Sequence, residues 1–331
     1  VSYLVFFLSG LANGLENLNK EAVDKWKADG IILTDESDMT LSQSSMKIGE
    51  YDGEGADEFA VLLQSNSIAK VDDLKANVAL FGIREDEFIM PEVSEGKGFS
   101  KTGDVIADYS LKEDGFKIGD ELSLSSTDTT LTITGFTEEA KFNAAPVLYG
   151  SLQTMQEVRF GEAAEENKDQ INGIVIRTGN LEKVNVDESL RVISTQTFIE
   201  NLPGYSEQSL TLTFMIYFLF IISAVILAIF LYVLTIQKIS IFGVMKAQGI
   251  SNRYLSQSVI AQTFILSLAG VIVGVILTLI TGYFLPTAVP VAFNYMDMLI
   301  YGIVLIVVSI IGALFSVQTI VKIDPLNAIG G

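Results

Sequence analysis

The sequence contains neither cysteine nor histidine among its 331 residues. Without thiols or imidazoles the chain has no disulfide, no thiol nucleophile, no histidine general base and none of the usual zinc sites. Positive charge is also scarce, because 21 Lys and Arg stand against 40 Asp and Glu, for a formal net charge of -19. A chain with this much negative charge repels the phosphate backbone of nucleic acid, so we expect no nucleic-acid partner.

A phosphate-binding loop is missing as well. GKGFSKTGD at 96–104 fails the G-x-x-x-x-G-K-[ST] pattern, since Lys97 is followed by Gly98 rather than by Ser or Thr. DGEGADE at 52–58 has its acids out of register for a calcium loop. Carboxylate pairs are adjacent in sequence, which favours solvated charge over acid–base catalysis. We therefore expect no catalytic residue, no metal site and no resident cofactor.

Long charge-free runs are abundant, and the mean hydropathy is +0.43. About 20 residues cross a hydrocarbon core, so three of the runs are long enough to span a membrane. Pro286 cannot continue a helix, so the middle run, 254–296, is expected to leave the helix there. The predicted transmembrane helices are 208–237, 254–285 and 298–321, with a loop at 286–297.

The first fifteen residues, VSYLVFFLSGLANGL, are also uncharged but too few to span. They are either the outer end of a first membrane helix, which we favour, or a signal-peptide core. Apolar residues continue at helical spacing beyond them, which predicts that the helix extends as a stalk. These residues are Leu11, Leu15, Leu18, Ala22 and Trp26.

The charge distribution orients the chain. Residues 16–207 hold 38 of the 40 acids and 17 of the 21 bases, whereas the connection 238–253 carries only Lys238, Lys246 and Arg253. Short loops rich in Lys and Arg lie on the cytoplasmic side, so this connection is predicted inside, and alternation places 16–207 outside. Lys322 and the segment 322–331 are then cytoplasmic.

The large block 16–207 has short apolar runs bounded by turn residues, which predict strands at 30–34, 59–65, 78–83, 120–136 and 173–178. Helices are predicted near 66–76, 150–161 and 187–202. The fold class is therefore an integral membrane α-helical protein. Its four transmembrane helices, the first truncated, carry a large extracellular α+β domain between helices 1 and 2.

Two features of the membrane part constrain its function. Gly270, Gly274, Thr278 and Gly282 recur every four residues, a ridge that favours close packing of another helix or, alternatively, lines a substrate path. No acid or base lies within a predicted span, which argues against a proton- or ion-coupled carrier. Any transport would need an outside source of energy.

The layout resembles the FtsX/MacB superfamily of ABC transporter permeases. The residues that carry the resemblance are FGVMKAQGIS (242–251) and the C-terminal KIDPLNAIGG (322–331), although Ile241 stands where many members have Glu. The resemblance implies a permease homodimer in membrane lipid that works with a separate cytoplasmic ABC ATPase subunit. The residues implied to couple to that subunit are Ile241, Phe242, Gly243, Val244, Met245, Lys246, Ala247 and Gly249.

Within the superfamily, 2–19 and YVLTIQKISIFGVMKAQGIS are most similar to haem-exporting HrtB-type permeases, which implies a multi-pass protein of a Gram-positive cell membrane and haem as transported substrate. Haem, a flat apolar disc with two propionates, suits a lateral pocket of aromatic and Met side chains. The candidates are Phe6, Phe7, Asn13, Glu16, Tyr205, Phe214, Met215, Tyr217 and Phe218. Each aromatic among them also suits an interfacial belt.

Two alternative functions fit the same layout. One is the export or extraction of a peptide, antibiotic or lipoprotein. The other is a non-transporting mechanotransmitter, in which an ATP-driven motion of the outer domain activates a cell-wall hydrolase.

Overall fold

The computed structural model describes residues 1–286 and 289–321, and the chain divides into two compact units. One unit is Glu16–Glu207, and the other is Val1–Leu15 with the residues from Gln208 onward. The predicted cytoplasmic C-terminus, 322–331, lies outside the described residues.

Helix α1, Ser2–Lys25, is continuous, as the apolar spacing predicts. The unit Glu16–Glu207 also contains α2 Tyr109–Glu113, α3 Leu152–Phe160 and α4 Thr195–Glu200. Its strands are β1 Gly30–Thr34, β2 Met46–Lys47, β3 Glu58–Val71, β4 Leu74–Ile83, β5 Glu95–Gly96, β6 Asp104–Asp108, β7 Glu121–Leu124, β8 Thr130–Thr137, β9 Lys141–Phe142, β10 Ala145–Ser151, β11 Gln170–Ile171, β12 Gly173–Arg177 and β13 Leu190–Ser194.

Eleven of these strands form one mixed sheet in the order β13-β1-β12-β3-β4-β10-β6-β8-β5, with β7 beside β3 and β8 and with β9 beside β10. Most neighbours are antiparallel, whereas β10 with β4 and β6 with β8 are parallel. Strands β2 and β11 form a separate pair. The unit is therefore rich in sheet, in agreement with the predicted α+β class.

The sheet is buried on both faces. Successive side chains of a strand point to opposite sides, and Ile32 and Leu80 accordingly belong to one core while Ile31 and Phe81 belong to the other. Trp26, just beyond α1, is 2% exposed in the second core. Strands covered on both sides read as continuous apolar runs, which is why GIILT and VALFGI are recognisable in the sequence.

One predicted helix, near 66–76, is wrong. The segment contains the end of β3 and the start of β4, which pair up to Val71 with Leu74 across a turn at Asp72-Asp73. Asp72 has a φ of 48°, a conformation that Asp tolerates better than most residues. Cross-strand pairing outweighs the helical propensity of the Ala, Lys and Leu residues here.

The predicted helix near 187–202 is correct only in its last part. Residues 190–194 form β13, and α4 begins after Ser194, whose hydroxyl accepts a hydrogen bond from the backbone N–H of Thr197 at 3.0 Å. The predicted helix near 150–161 is confirmed as α3.

The other unit is helical. Besides the start of α1, its helices are α5 Tyr205–Gln237, α6 Ile239–Ala247, α7 Asn252–Phe284 and α8 Tyr295–Val321. In the described part of the chain, three stretches are long and apolar enough to cross a membrane: Tyr205–Leu234, Asn252–Phe284 and Tyr295–Leu314. Many apolar side chains on them face outward, such as Ile229 and Ile265, which suits a lipid environment.

Candidate functional site

The connection between α5 and α7 folds as the short helix α6 followed by a tight turn. At its end the N–H of Ile250 donates to the carbonyl of Met245 at 3.0 Å, and the N–H of Gly249 to Lys246 at 2.9 Å. This pair of bonds defines a Schellman motif, whose left-handed residue is Gly249 with a φ of 89°. Ser251 then caps α7 by accepting from the N–H of Tyr254.

The run AQGIS, which ends the segment 242–251, therefore has a local physical cause: Gly249 ends one helix and Ser251 begins the next. Met245 and Ile250, five positions apart on either side of the turn, pack into the same small cluster, as the Schellman motif favours. The sequence predicted a coupling role for Gly249 but not for Ile250, and Ser251 was part of the run 242–251 that carries the family resemblance. The signal for Ile250 is its position directly after the glycine.

Helix α6 has a buried face and an exposed face. Phe242 is 8% exposed and packs with the fully buried Leu255 of α7, and Gly243 is buried beside it. Ile241 and Val244 are exposed, and they are three residues apart, on one side of the helix. The remaining predicted coupling residues lie in between: Met245 and Lys246 are half-buried, and Ala247 and Gly249 are exposed. The helix is fixed by one face and presents an apolar patch on the other.

The ridge of small residues on α7 packs against α1. A Cβ added at Gly274 would lie 2.3 Å from the Oγ of Ser2 and 3.0 Å from the backbone nitrogen of Tyr3. The Ser2 hydroxyl donates to the carbonyl of Gly270 at 2.8 Å. Thr278 is fully buried on the same ridge. The predicted close helix–helix packing is thus confirmed, with α1 as the partner.

The connection between α7 and α8 also folds onto α1. A Cβ at Gly14 would lie 2.2 Å from the backbone oxygen of Pro290, so only glycine fits there. Asn13 donates from Nδ2 to Asp297 at 3.2 Å, which ties α1 to the first turn of α8. Asn13, selected as a haem candidate, therefore has a structural partner, and Asp297 was not selected.

The haem candidates do not share one environment. Phe6 is fully buried in a helical core with Met298 and Leu305, and Phe7 stacks on Tyr3 with ring centroids 5.9 Å apart. Four candidates lie on the exposed side of α5 at 48–61% exposure: Phe214, Met215, Tyr217 and Phe218.

The other two candidates, Glu16 and Tyr205, are half-buried and belong to the sheet-rich unit. Among the described residues no group of three or more Asp and Glu is placed to hold a metal ion.

Comparison with known proteins gives the class of the membrane part. Residues 213–325 match the model of the FtsX-like permease C-terminal domain. These residues include α6, the turn at Gly249 and the small-residue ridge. The chain therefore contains an FtsX-like permease domain.

Several relatives match along nearly the whole chain, and two of them are as follows. The "Putative hemin transport system permease protein HrtB" of Staphylococcus haemolyticus is 26% identical over 332 residues, covering 99% of this chain and 92% of the relative. The protein of that name from Staphylococcus epidermidis is 25% identical, covering 100% and 93%. The periplasmic region of MacB from Actinobacillus actinomycetemcomitans is similar to 51% of this chain, covering 90% of that structure with a TM-score of 0.38 and 13% identity.

Proposed function

We propose that this chain is the permease subunit of an ATP-driven ABC exporter. The observation that carries the proposal is the apolar exposed face of α6, Ile241 and Val244, within the FtsX-like permease domain. In this proposal α1, α5, α7 and α8 cross the membrane, and the α5–α7 connection lies in the cytoplasm with its positive residues. The acidic unit Glu16–Glu207 then lies outside the cell.

Helix α6 would insert its exposed face into a groove of a separate ATPase subunit. A short helix with a few apolar anchors on one side is a common way to dock into such a groove. The buried contact of Phe242 with Leu255 would transmit motion of the ATPase to α7. Two permeases and two ATPases would form the working unit, and the permease itself would hydrolyse no ATP.

Haem is the cargo we propose. Its support is the similarity, over almost the full length, to two staphylococcal proteins named for hemin transport. Their source also supports a Gram-positive cell membrane for this chain. Of the haem candidates, the exposed α5 residues Met215 and Tyr217 are accessible to an apolar ligand from lipid, whereas the buried Phe6 serves packing. Met and Tyr are both known axial ligands of haem iron.

Haem titration of the purified full chain, followed by the Soret band, tests the cargo. We expect saturable binding that weakens about tenfold or more in Met215→Leu or Tyr217→Phe, the loss expected for one ligand or charge-assisted contact. Tyr232→Phe is the matched control, because Tyr232 is also an exposed tyrosine of α5. No spectral change with the unmodified chain, or equal binding by all variants, would exclude haem from these residues while leaving the permease assignment intact.

A further inference from the structure

The sheet-rich unit contains a cavity of about 500 Å³. This volume lies in the range of small-molecule sites. Its lining comes from the end of α1 and the residues just after it, from the loop after β4, from the turn after β8 and from β10 and β12. The lining residues used below are Lys25, Phe88, Ile89, Met90, Tyr149 and Arg177.

Tyr149 supplies a hydrogen-bond donor to this cavity. The residue is 1% exposed, and its hydroxyl makes no hydrogen bond to any residue that the structure describes. Its ring is held edge-on against Phe81, with centroids 5.6 Å apart. Burial, with the carboxylates of Asp108 and Glu21 nearby, raises the pKa of Tyr149, so the phenol keeps its proton. The hydroxyl oxygen is not one of the fully buried unpartnered atoms of the described residues, so it is open to the cavity, where a ligand or water can satisfy it.

Lys25 supplies a second donor. Its ammonium donates to the Thr137 hydroxyl at 2.9 Å and to the backbone carbonyl of Glu138. A lysine ammonium has three N–H donors, so one more is left for the cavity. Burial lowers the pKa of Lys25. The nearby carboxylates act in the opposite direction and raise this pKa; they are those of Asp108, Glu139, Glu92 and Glu138. In the described structure no salt bridge joins Lys25 to any of them.

The opposite part of the lining is apolar and held in place. Phe88, Ile89 and Met90 line it, and the guanidinium of Arg177 lies 4.0 Å from the ring centroid of Phe88. Arg177 is itself fixed by hydrogen bonds to the backbone oxygens of Lys27 and Trp26 and to the Glu58 carboxylate. This wall is therefore preformed and offers contact area to an apolar body.

We propose that this cavity binds an amphipathic anion, with a carboxylate or phosphate against Tyr149 and Lys25 and an apolar body against Phe88 and Met90. Glu92, Glu138 and Glu139 also line the cavity, but they are exposed to solvent. Exposed charges are screened by water and salt, whereas the Tyr149 phenol is buried and the Lys25 ammonium is half-buried and therefore screened less. The two donors therefore favour a ligand with a negative charge. This site goes beyond the proposed function and does not depend on haem being the cargo.

The test titrates the full chain in dodecyl maltoside with octanoate, octylammonium and octanol. Trp26 is the only tryptophan of the chain and directly follows Lys25, so its fluorescence reports on this region. We expect a saturable response to octanoate that weakens about tenfold in Tyr149→Phe and in Lys25→Met, because each removes a donor to a charged group. Lys75→Met, at an exposed lysine outside the cavity, is the control and should bind as the unmodified chain does.

The Tyr149→Phe variant keeps the test decisive. It removes a hydroxyl that has no hydrogen-bond partner among the described residues, so its fold and thermal stability should be unchanged. Octylammonium binding as tightly as octanoate would overturn the proposed sign of the ligand. No octanoate response, or an equal response in Tyr149→Phe, Lys25→Met and the unmodified chain, would overturn the site itself.

Discussion

At the scale of single residues, three glycines of the helical unit determine close packing or backbone conformation. Gly14 admits the backbone of Pro290, Gly274 admits Ser2, and Gly249 adopts the left-handed conformation that ends α6. The first two are requirements of space and the third is a requirement of backbone conformation. The three therefore respond to different substitutions.

Gly249→Val should weaken export without preventing membrane insertion. A β-branched residue at a φ of 89° is a severe outlier, and the left-handed conformation costs a non-glycine residue about 1–2 kcal/mol. Gly249→Asn is the matched variant, since asparagine tolerates this conformation. Export assays with surface-expression controls measure the effect. Equal export by the valine and asparagine variants would show that the turn does not need its glycine.

At the scale of elements, α1 and α7 approach each other closely at Gly274 of the small-residue ridge. Gly274→Leu should destabilise the helical unit by about 1–3 kcal/mol, because an overpacked contact forces the helices apart. Gly270→Leu is the control on the same ridge, since no atom lies within 4 Å of a Cβ added there. Thermal unfolding in detergent compares the two. Similar unfolding temperatures would contradict the described packing.

Elements defined by local pattern could be predicted from the sequence, and those defined by distant partners could not. The runs that form α5, α7 and α8 are long and uncharged, and Pro286 correctly marks the end of α7, which the structure places at Phe284. The helix predicted near 66–76 failed because β3 and β4 are stabilised by pairing across the sheet, which the local composition does not reveal.

The candidate sites, too, could be predicted only where their residues lie close together in the sequence. The α6 stretch was recognisable because its positive charges and the run FGVMKAQGIS that carries the family resemblance lie within a few consecutive positions. The cavity beside Tyr149 was not, because its lining comes from five separate parts of the chain. Phe6 and Phe214 are both phenylalanines within apolar runs, yet one is fully buried and the other is 52% exposed. Composition alone does not distinguish a packing residue from an accessible one.

At the scale of the whole molecule, the chain combines a helical unit with a separate sheet-rich unit. Among the described residues, α5 and α7 carry no acid or base in the middle of a span. A separate ATPase subunit as the source of energy is part of the proposed function. In the proposed function, the contact with that subunit delivers the energy to the helices. It rests on the exposed face of α6.

The most direct measurement is ATP hydrolysis by the separate ABC ATPase subunit, reconstituted in lipid with this permease. We predict that the permease stimulates hydrolysis and that Ile241→Asp with Val244→Asp abolishes the effect. Burial of unpaired charge at an apolar anchor costs about 2 kcal/mol or more, or roughly thirtyfold in affinity. Ile241→Leu should retain stimulation. Full stimulation by the aspartate variant, or none by the unmodified permease, would contradict α6 as the coupling element.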